Sequence, residues 1–210
     1  MAKIKFCGIT NIEDAGEAAR LRADYIGFIL YKGSKRHVDA ERVAVIARTV
    51  PPGIGRVGVF VNEEADTVLS VARNCGLDTV QFHGDEAPEY CGRFRGKLRV
   101  IKAFRIRTAD DLRAVDRYDV DYYLFDTFHD AMFGGTGTTF NWSVISGRAF
   151  KKPIFLSGGL NPENVCDAIK TVSPFCVDIA GGIERMPGKK DHEQMRRFAE
   201  NVRGCDNDPE

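Results

Sequence analysis

No apolar run in this 210-residue chain approaches the roughly 20 residues a helix needs to cross a bilayer. Neither sign of charge dominates, because Lys plus Arg and Asp plus Glu each number 30. That balance leaves no electrostatic footprint for nucleic acid, and no polybasic segment suits a membrane surface. The N-terminal residues lack the apolar core of a secretory signal, so a soluble, cytoplasmic protein is expected. Cysteine is sparse and unpatterned. Cys7, Cys75, Cys91, Cys166, Cys176 and Cys205 form no Cys-x-x-Cys pair and have no histidine at zinc-ligand spacing, so no metal site is expected. A disulfide framework is not expected in so long and hydrophobic a chain, and a reducing compartment fits better. Cys75 ends a helical pattern and Cys176 lies inside a strand pattern, where a thiol acts as a small hydrophobe. The chain also has no dinucleotide-binding glycine fingerprint, no linker and no low-complexity tract. Residues 1–204 are expected to form one domain, followed by a disordered tail over 205–210; its disorder is expected to start near Gly204.

What is present is a repeat. Short apolar runs stand at Lys3–Cys7, Asp24–Leu30, Arg56–Val61, Thr79–Phe82, Leu98–Phe104, Tyr122–Asp126, Pro153–Leu156 and Phe175–Ile179. They are rich in Val, Ile, Phe and Tyr and are bounded by Gly, Asp or Pro, which predicts strands. Between them the apolar period lengthens. Val43, Ile46, Ala47 and Val50 fall at i, i+3, i+4 and i+7, as do Ala65, Val68, Leu69 and Ala72. Val165, Ala168, Ile169 and Val172 repeat the spacing, and so do Met195, Phe198, Ala199 and Val202. Each quartet is the apolar stripe of an amphipathic helix. Thr10 with Glu13 and Thr108 with Asp111 have capping-box spacing, and Asn161 before Pro162 predicts an N-cap with a first-turn proline. Strict βα alternation predicts a parallel sheet, and eight units predict a closed (βα)8 TIM barrel.

In such a barrel the carboxyl ends of all strands meet on one face, where these folds carry their chemistry. Period 2 places Cys7 with Lys5 and Lys3 on one face of the first strand, and Ile4 and Phe6 on the other, toward the helices. Cys7 therefore points into the mouth of the barrel. Asp126 ends the sixth strand, three strands away, so thiol and carboxyl face each other across the opening. That pair suits proton abstraction and donation. The alternatives are a buried apolar thiol and a carboxylate that caps a helix or loop. Gly134-Gly135-Thr136-Gly137, Ser157-Gly158-Gly159 and Ala180-Gly181-Gly182 follow strands six, seven and eight. Gly135, Gly137, Gly158, Gly159, Gly181 and Gly182 are thus candidates to bring backbone N–H groups to a phosphate, with ordinary turn chemistry as the alternative. Arg36 could hold a planar carboxylate or stand solvated in its loop. Gln81 and His83 share one face at the fourth strand end, within reach of a polar substrate, while Asp85 and Glu86 are expected to cap the next helix. Lys5 could stabilise a Cys7 thiolate or form a buried ion pair with Asp178 of the eighth strand. His37, His129 and His192 have no ligand spacing and are expected at the surface.

Six blocks in order carry a family resemblance: Lys5-Phe6-Cys7-Gly8-Ile9-Thr10, Val57-Gly58-Val59-Phe60-Val61-Asn62, Gln81-Phe82-His83-Gly84-Asp85-Glu86, Gly134-Gly135-Thr136-Gly137, Ser157 through Val165, and Gly188-Lys189-Lys190-Asp191. On these residues the chain resembles the phosphoribosylanthranilate isomerases of tryptophan biosynthesis. The resemblance implies a single barrel without cofactor that rearranges N-(5-phosphoribosyl)anthranilate to the open-chain aminoketose. It implies Cys7 as general base, Asp126 as general acid, Arg36 on the anthranilate carboxylate and the glycine loops around the phosphate. The implied partner is a small phosphorylated molecule, and the implied assembly is a monomer or homodimer. The chain departs from the family at Ala180-Gly181-Gly182, where Ser-Ser-Gly is common, so phosphate binding there falls to backbone N–H groups. It also departs at Lys35, where Pro is common, and at Thr138 and Asn141, where Lys and Asp are common and the change is expected to affect loop and helix capping rather than catalysis. The phosphate loops taken alone also fit another phosphosugar barrel enzyme, such as a ribulose-phosphate epimerase or an indole-glycerol-phosphate synthase, and a non-enzymatic phosphate-binding barrel.

Overall fold

A computed structural model describes residues 1–127 and 142–205. All eight expected strands form: β1 Lys3–Cys7, β2 Tyr25–Ile29, β3 Gly55–Phe60, β4 Thr79–Phe82, β5 Arg99–Ile106, β6 Tyr122–Thr127, β7 Ile154–Leu156 and β8 Cys176–Ile179. They pair in parallel in sequence order, and β1 joins both β2 and β8, which closes the barrel. The helices are α1 Ile12–Arg20, α2 Ala40–Thr49, α3 Ala65–Cys75, α4 Pro88–Gly92, α5 Val165–Val172 and α6 His192–Gly204. A 3₁₀ segment, Ala109–Arg117, takes the helical place after β5 and carries the expected Thr108–Asp111 capping box. A short antiparallel hairpin, β9 Glu184–Met186 with β10 Lys189–Lys190, follows β8.

Strand alternation produces two cores. Ile4, Phe6, Ile26, Phe28, Val80 and Phe82 face outward and pack with the helix stripes. Tyr25, Val57, Ile101, Leu124, Phe155 and Cys176 fill the barrel interior as a separate cluster. The Tyr25 and Phe155 rings meet edge to face at 5.3 Å, and a Cβ on Gly55 would lie 2.4 Å from the Tyr25 ring. Gly55 is therefore the vacancy that admits Tyr25.

The end opposite the site uses one device three times. Asp24, Asp78 and Asp121 stand just before β2, β4 and β6. Their carboxylates accept from the Ile4, Arg56 and Val100 N–H groups of the preceding strands at 2.9, 2.9 and 2.8 Å. Each satisfies a backbone donor beyond the reach of the ladder.

Several local expectations are corrected. Asn11, not Thr10, caps α1, accepting from Asp14 N at 2.8 Å; the Thr10 hydroxyl instead donates to Gly188 O across the barrel rim at 2.5 Å. Asn164, not Asn161, precedes α5, because Asn161 and Asn164 exchange side-chain-to-backbone hydrogen bonds and close a turn of their own. Asp85 and Glu86 do not cap α4, whose N-cap is Ala87. Glu86 is buried and pairs with Lys102 at 2.9 Å. Cys166 and Cys205 form a disulfide, against the expectation of unpaired thiols. The pairing follows from α5 lying against α6, which no spacing in the sequence reveals. Gly204 is helical and Cys205 buried, so the ordered chain reaches past the expected boundary; residues 206–210 lie outside the described residues.

Candidate active site

The strand ends enclose a cavity of about 420 Å³, within the range typical of small-molecule sites. Cys7, Arg36, Gln81, His83, Asp126, Gly158, Gly159, Gly181 and Gly182 all line it. Gly135 and Gly137 lie outside the described residues, as does His129. Cys7 comes from β1 and Asp126 from β6, so the thiol and the carboxyl reach the cavity from separate sides of the ring.

Cys7 is buried and paired in register with Gly27 of β2. A Cβ on Gly27 would stand 2.8 Å from Cys7 Sγ and 3.1 Å from Lys5 Nζ. Thiol and ammonium thus share the notch left by the missing side chain. Lys5 also donates to Asp178 Oδ1 at 2.8 Å, so the expected buried ion pair is present and the ammonium serves both neighbours. Burial pushes the Cys7 thiol above its ordinary value, while Lys5, and more weakly Lys190, act in the opposite direction. Burial also opposes the charge on Lys5, yet Asp178 and Cys7 outweigh it and hold the lysine protonated.

On the acid side, His83 Nε2 stands 3.2 Å from Asp126 Oδ2, at ion-pair distance but without hydrogen-bond alignment. Gln81 Nε2 lies 3.0 Å from His83 Nδ1. With the Gln81 amide donating to Nδ1, the imidazole carries its proton on Nε2, the nitrogen nearer Asp126. Gln81 Oε1 is buried and has no hydrogen-bond partner among the described residues. A buried acceptor in a cavity wall is costly unless a ligand or water meets it. Behind this wall, Lys102 Nζ donates to Gly84 O and Glu86, and Glu86 accepts from Asn62 N and Gly84 N. One buried charge pair thereby fixes the loops after β3 and β4 on which His83 stands.

Arg36 reaches the rim from the segment between β2 and α2. Its Nε donates to Glu184 Oε1 at 2.8 Å and its Nη2 to Oε2 at 2.7 Å. Burial works against the Glu184 charge, but Arg36 and Lys190 hold its carboxyl below the usual range. The glycine turns after β7 and β8 touch: a Cβ on Gly182 would lie 2.1 Å from Leu160 O. Gly158 and Gly159 have φ of +88° and +67°, which side chains rarely adopt. Glycine here is demanded by the backbone, and it leaves peptide groups open to the cavity.

A family model described as N-(5′-phosphoribosyl)anthranilate isomerase matches residues 4–201. The chain belongs to the N-(5′-phosphoribosyl)anthranilate isomerase family. It is 46% identical over 198 residues to the isomerase of Citrifermentans bemidjiense, covering 94% of this chain and 95% of that one. The crystal structure of the Thermotoga maritima isomerase superposes with a TM-score of 0.91 at 41% identity, covering 97% of this chain and all of that one. A family structure in complex with reduced 1-(o-carboxyphenylamino)-1-deoxyribulose 5-phosphate superposes with a TM-score of 0.86 at 40% identity, with the same coverage.

Four features of this isomerase-family site carry no local signal in the sequence. Glu184 and Lys190 belong to the hairpin after β8, where Gly188-Lys189-Lys190-Asp191 shows only a family resemblance. Gly27 sits in mid-strand with no turn signal. The Lys102–Glu86 pair joins residues whose types alone suggest surface positions.

Proposed function

We propose that this chain converts N-(5-phosphoribosyl)anthranilate to 1-(2-carboxyphenylamino)-1-deoxyribulose 5-phosphate by an Amadori rearrangement in tryptophan biosynthesis. The observation that carries the reading is the arrival of Cys7 and Asp126 in one cavity from separate strands, beside two touching glycine turns. Asp126 gives its proton to the ribose ring oxygen; the C1′–O bond breaks and the aryl nitrogen becomes an iminium. That cation acidifies C2′–H, and Cys7 as thiolate removes the proton to leave an enol-amine, which tautomerises to the aminoketose. The rearrangement needs no redox partner.

The remaining groups bind. The phosphate lies against Gly158, Gly159, Gly181 and Gly182, where backbone N–H groups replace the hydroxyls that Ala180 and Gly181 lack. For Gly135 and Gly137, which lie outside the described residues, the phosphate-binding role rests on the sequence alone. Arg36 takes the anthranilate carboxylate, and the buried Gln81 Oε1 accepts from a sugar hydroxyl with His83 beside it. No cofactor is required. The chain through Cys205 acts as one barrel domain. Among the described residues no helix is long and apolar enough to cross a membrane; a cytoplasmic location is proposed from the biosynthetic reaction alone.

Freshly prepared phosphoribosylanthranilate should lose its fluorescence on adding the protein. Asp126→Asn and Cys7→Ala should each lower kcat by about 10²–10⁴-fold, with much smaller changes in KM. Near-normal kcat in Asp126→Asn would remove the general acid from the scheme.

A further inference from the structure

We infer that Glu184 is the positioning residue that makes Arg36 a carboxylate receptor with a single open edge, and so sets the preference for an aryl amine bearing a carboxylate. The inference rests on the role given to Arg36 under the proposed function.

A guanidinium offers two forks of N–H donors, one along Nε and Nη2 and one along Nη1 and Nη2. Glu184 occupies the first with bonds of 2.8, 3.0 and 2.7 Å. Among the described residues no hydrogen bond reaches Nη1, and both Arg36 and Glu184 line the cavity. The second fork is therefore the one left for a ligand, and a carboxylate matches its geometry.

Glu184 is itself held in place. Lys190 Nζ donates to its Oε1 at 3.0 Å and to Ala180 O at 3.0 Å, and Gly188 N donates to Oε1 at 3.2 Å. Lys190 is buried, so this anchor has no room to swing. The arginine stem is fixed as well. Gly8 has φ of +73°, and a Cβ there would lie 2.8 Å from Arg36 Cδ. The residue after Cys7 thus opens the channel along which Arg36 runs.

Charge completes the design. Arg36 and Lys190 bring two positive charges and Glu184 one negative, so the cluster keeps a net positive charge after Arg36 is anchored. Met186 and Pro187 of the hairpin line the same cavity and offer apolar cover for an aromatic ring. A planar arene with a carboxylate beside its amine fits that combination, whereas an arene without the carboxylate leaves the open fork unmet.

The test compares two ligands on wild type, Glu184→Gln and Glu184→Asp: the reduced aminoketose product, and the same molecule lacking the ring carboxyl. Calorimetric Kd values should show the wild type favouring the carboxylated ligand. Glu184→Gln should shrink that preference by about tenfold or more, the worth of an oriented charged contact. Glu184→Asp, which keeps the charge for Lys190, should restore part of it and decides the matter if Glu184→Gln fails to fold. In turnover, the loss should appear mainly in KM. An unchanged preference in the folded variants, or equal weakening of both ligands, would overturn the role of Glu184. A wild-type protein that neither binds the product analogue nor turns over phosphoribosylanthranilate would instead overturn the underlying reading.

Discussion

At position 27 the missing side chain lets a lysine and a thiol share one notch. A methyl there would push Cys7 Sγ away from Lys5 Nζ, so burial would act on the thiol with less opposition. Gly27→Ala should therefore raise the thiol further and slow Cys7 alkylation markedly near neutral pH. An unchanged pH profile of alkylation would show that Lys5 serves Asp178 alone. Because the wild-type thiol is already raised, kcat/KM should climb with pH above neutrality as the thiolate forms. Glu184 titrates in the opposite sense. Its folded-state value is lowered, so the stability from its ion pairs is fully present above the ordinary carboxylate range. It is lost as pH falls through the lower folded value. Acid-unfolding curves of wild type and Glu184→Gln should accordingly separate above the ordinary carboxylate range and converge only as pH falls through the lowered folded value.

The strands divide their labour by end. At one end, three aspartates satisfy N–H groups of β1, β3 and β5; at the other, β1, β4 and β6 present Cys7, Gln81 and Asp126 to the cavity. Replacing Asp78 with Ala removes two hydrogen bonds, from Arg56 N and from the buried Thr79 hydroxyl, and should lower the unfolding free energy by about 1–3 kcal/mol while leaving kcat unchanged. Denaturant titration paired with steady-state assay measures both. The loops after β3 and β4 behave differently, because the Lys102–Glu86 pair beneath them is nearly inaccessible to solvent. Glu86→Gln strands an ammonium in the interior and should cost about 3–5 kcal/mol. It should also disturb kcat, since His83 stands on that loop.

The whole barrel is closed by strand pairing between β1 and β8, and near its C-terminal end a disulfide ties α5 to the residue that follows α6. The bridge spans 39 residues, and neither sulfur lines the cavity. In the chain-entropy account such a loop contributes up to about 4 kcal/mol through the unfolded state. Reduction should thus lower the thermal midpoint while kcat stays the same; loss of activity in step with reduction would place the bridge in the working of the site.

Periodicity alone determined much of this protein. Alternation of two along Lys3–Cys7 and of three and four along Met195–Val202 depends only on neighbouring residues, so strands, helices and the positions of strand ends were legible before any fold was seen. Cys7, Asp126 and the glycine turns were legible for the same reason: a strand's end and face follow from its own residues. Most of their partners were not. Arg36 meets Glu184 across 148 residues; Lys5 with Asp178, 173 residues apart, is the pair that strand faces did foretell. Asn11 displaces Thr10 as a cap because Thr10 finds Gly188, 178 residues away. Such contacts exist only once the ring closes and brings the first and last strands together. Local order came from the sequence, whereas the choice of partners, and with it the charge and orientation of each site group, belongs to the closed barrel.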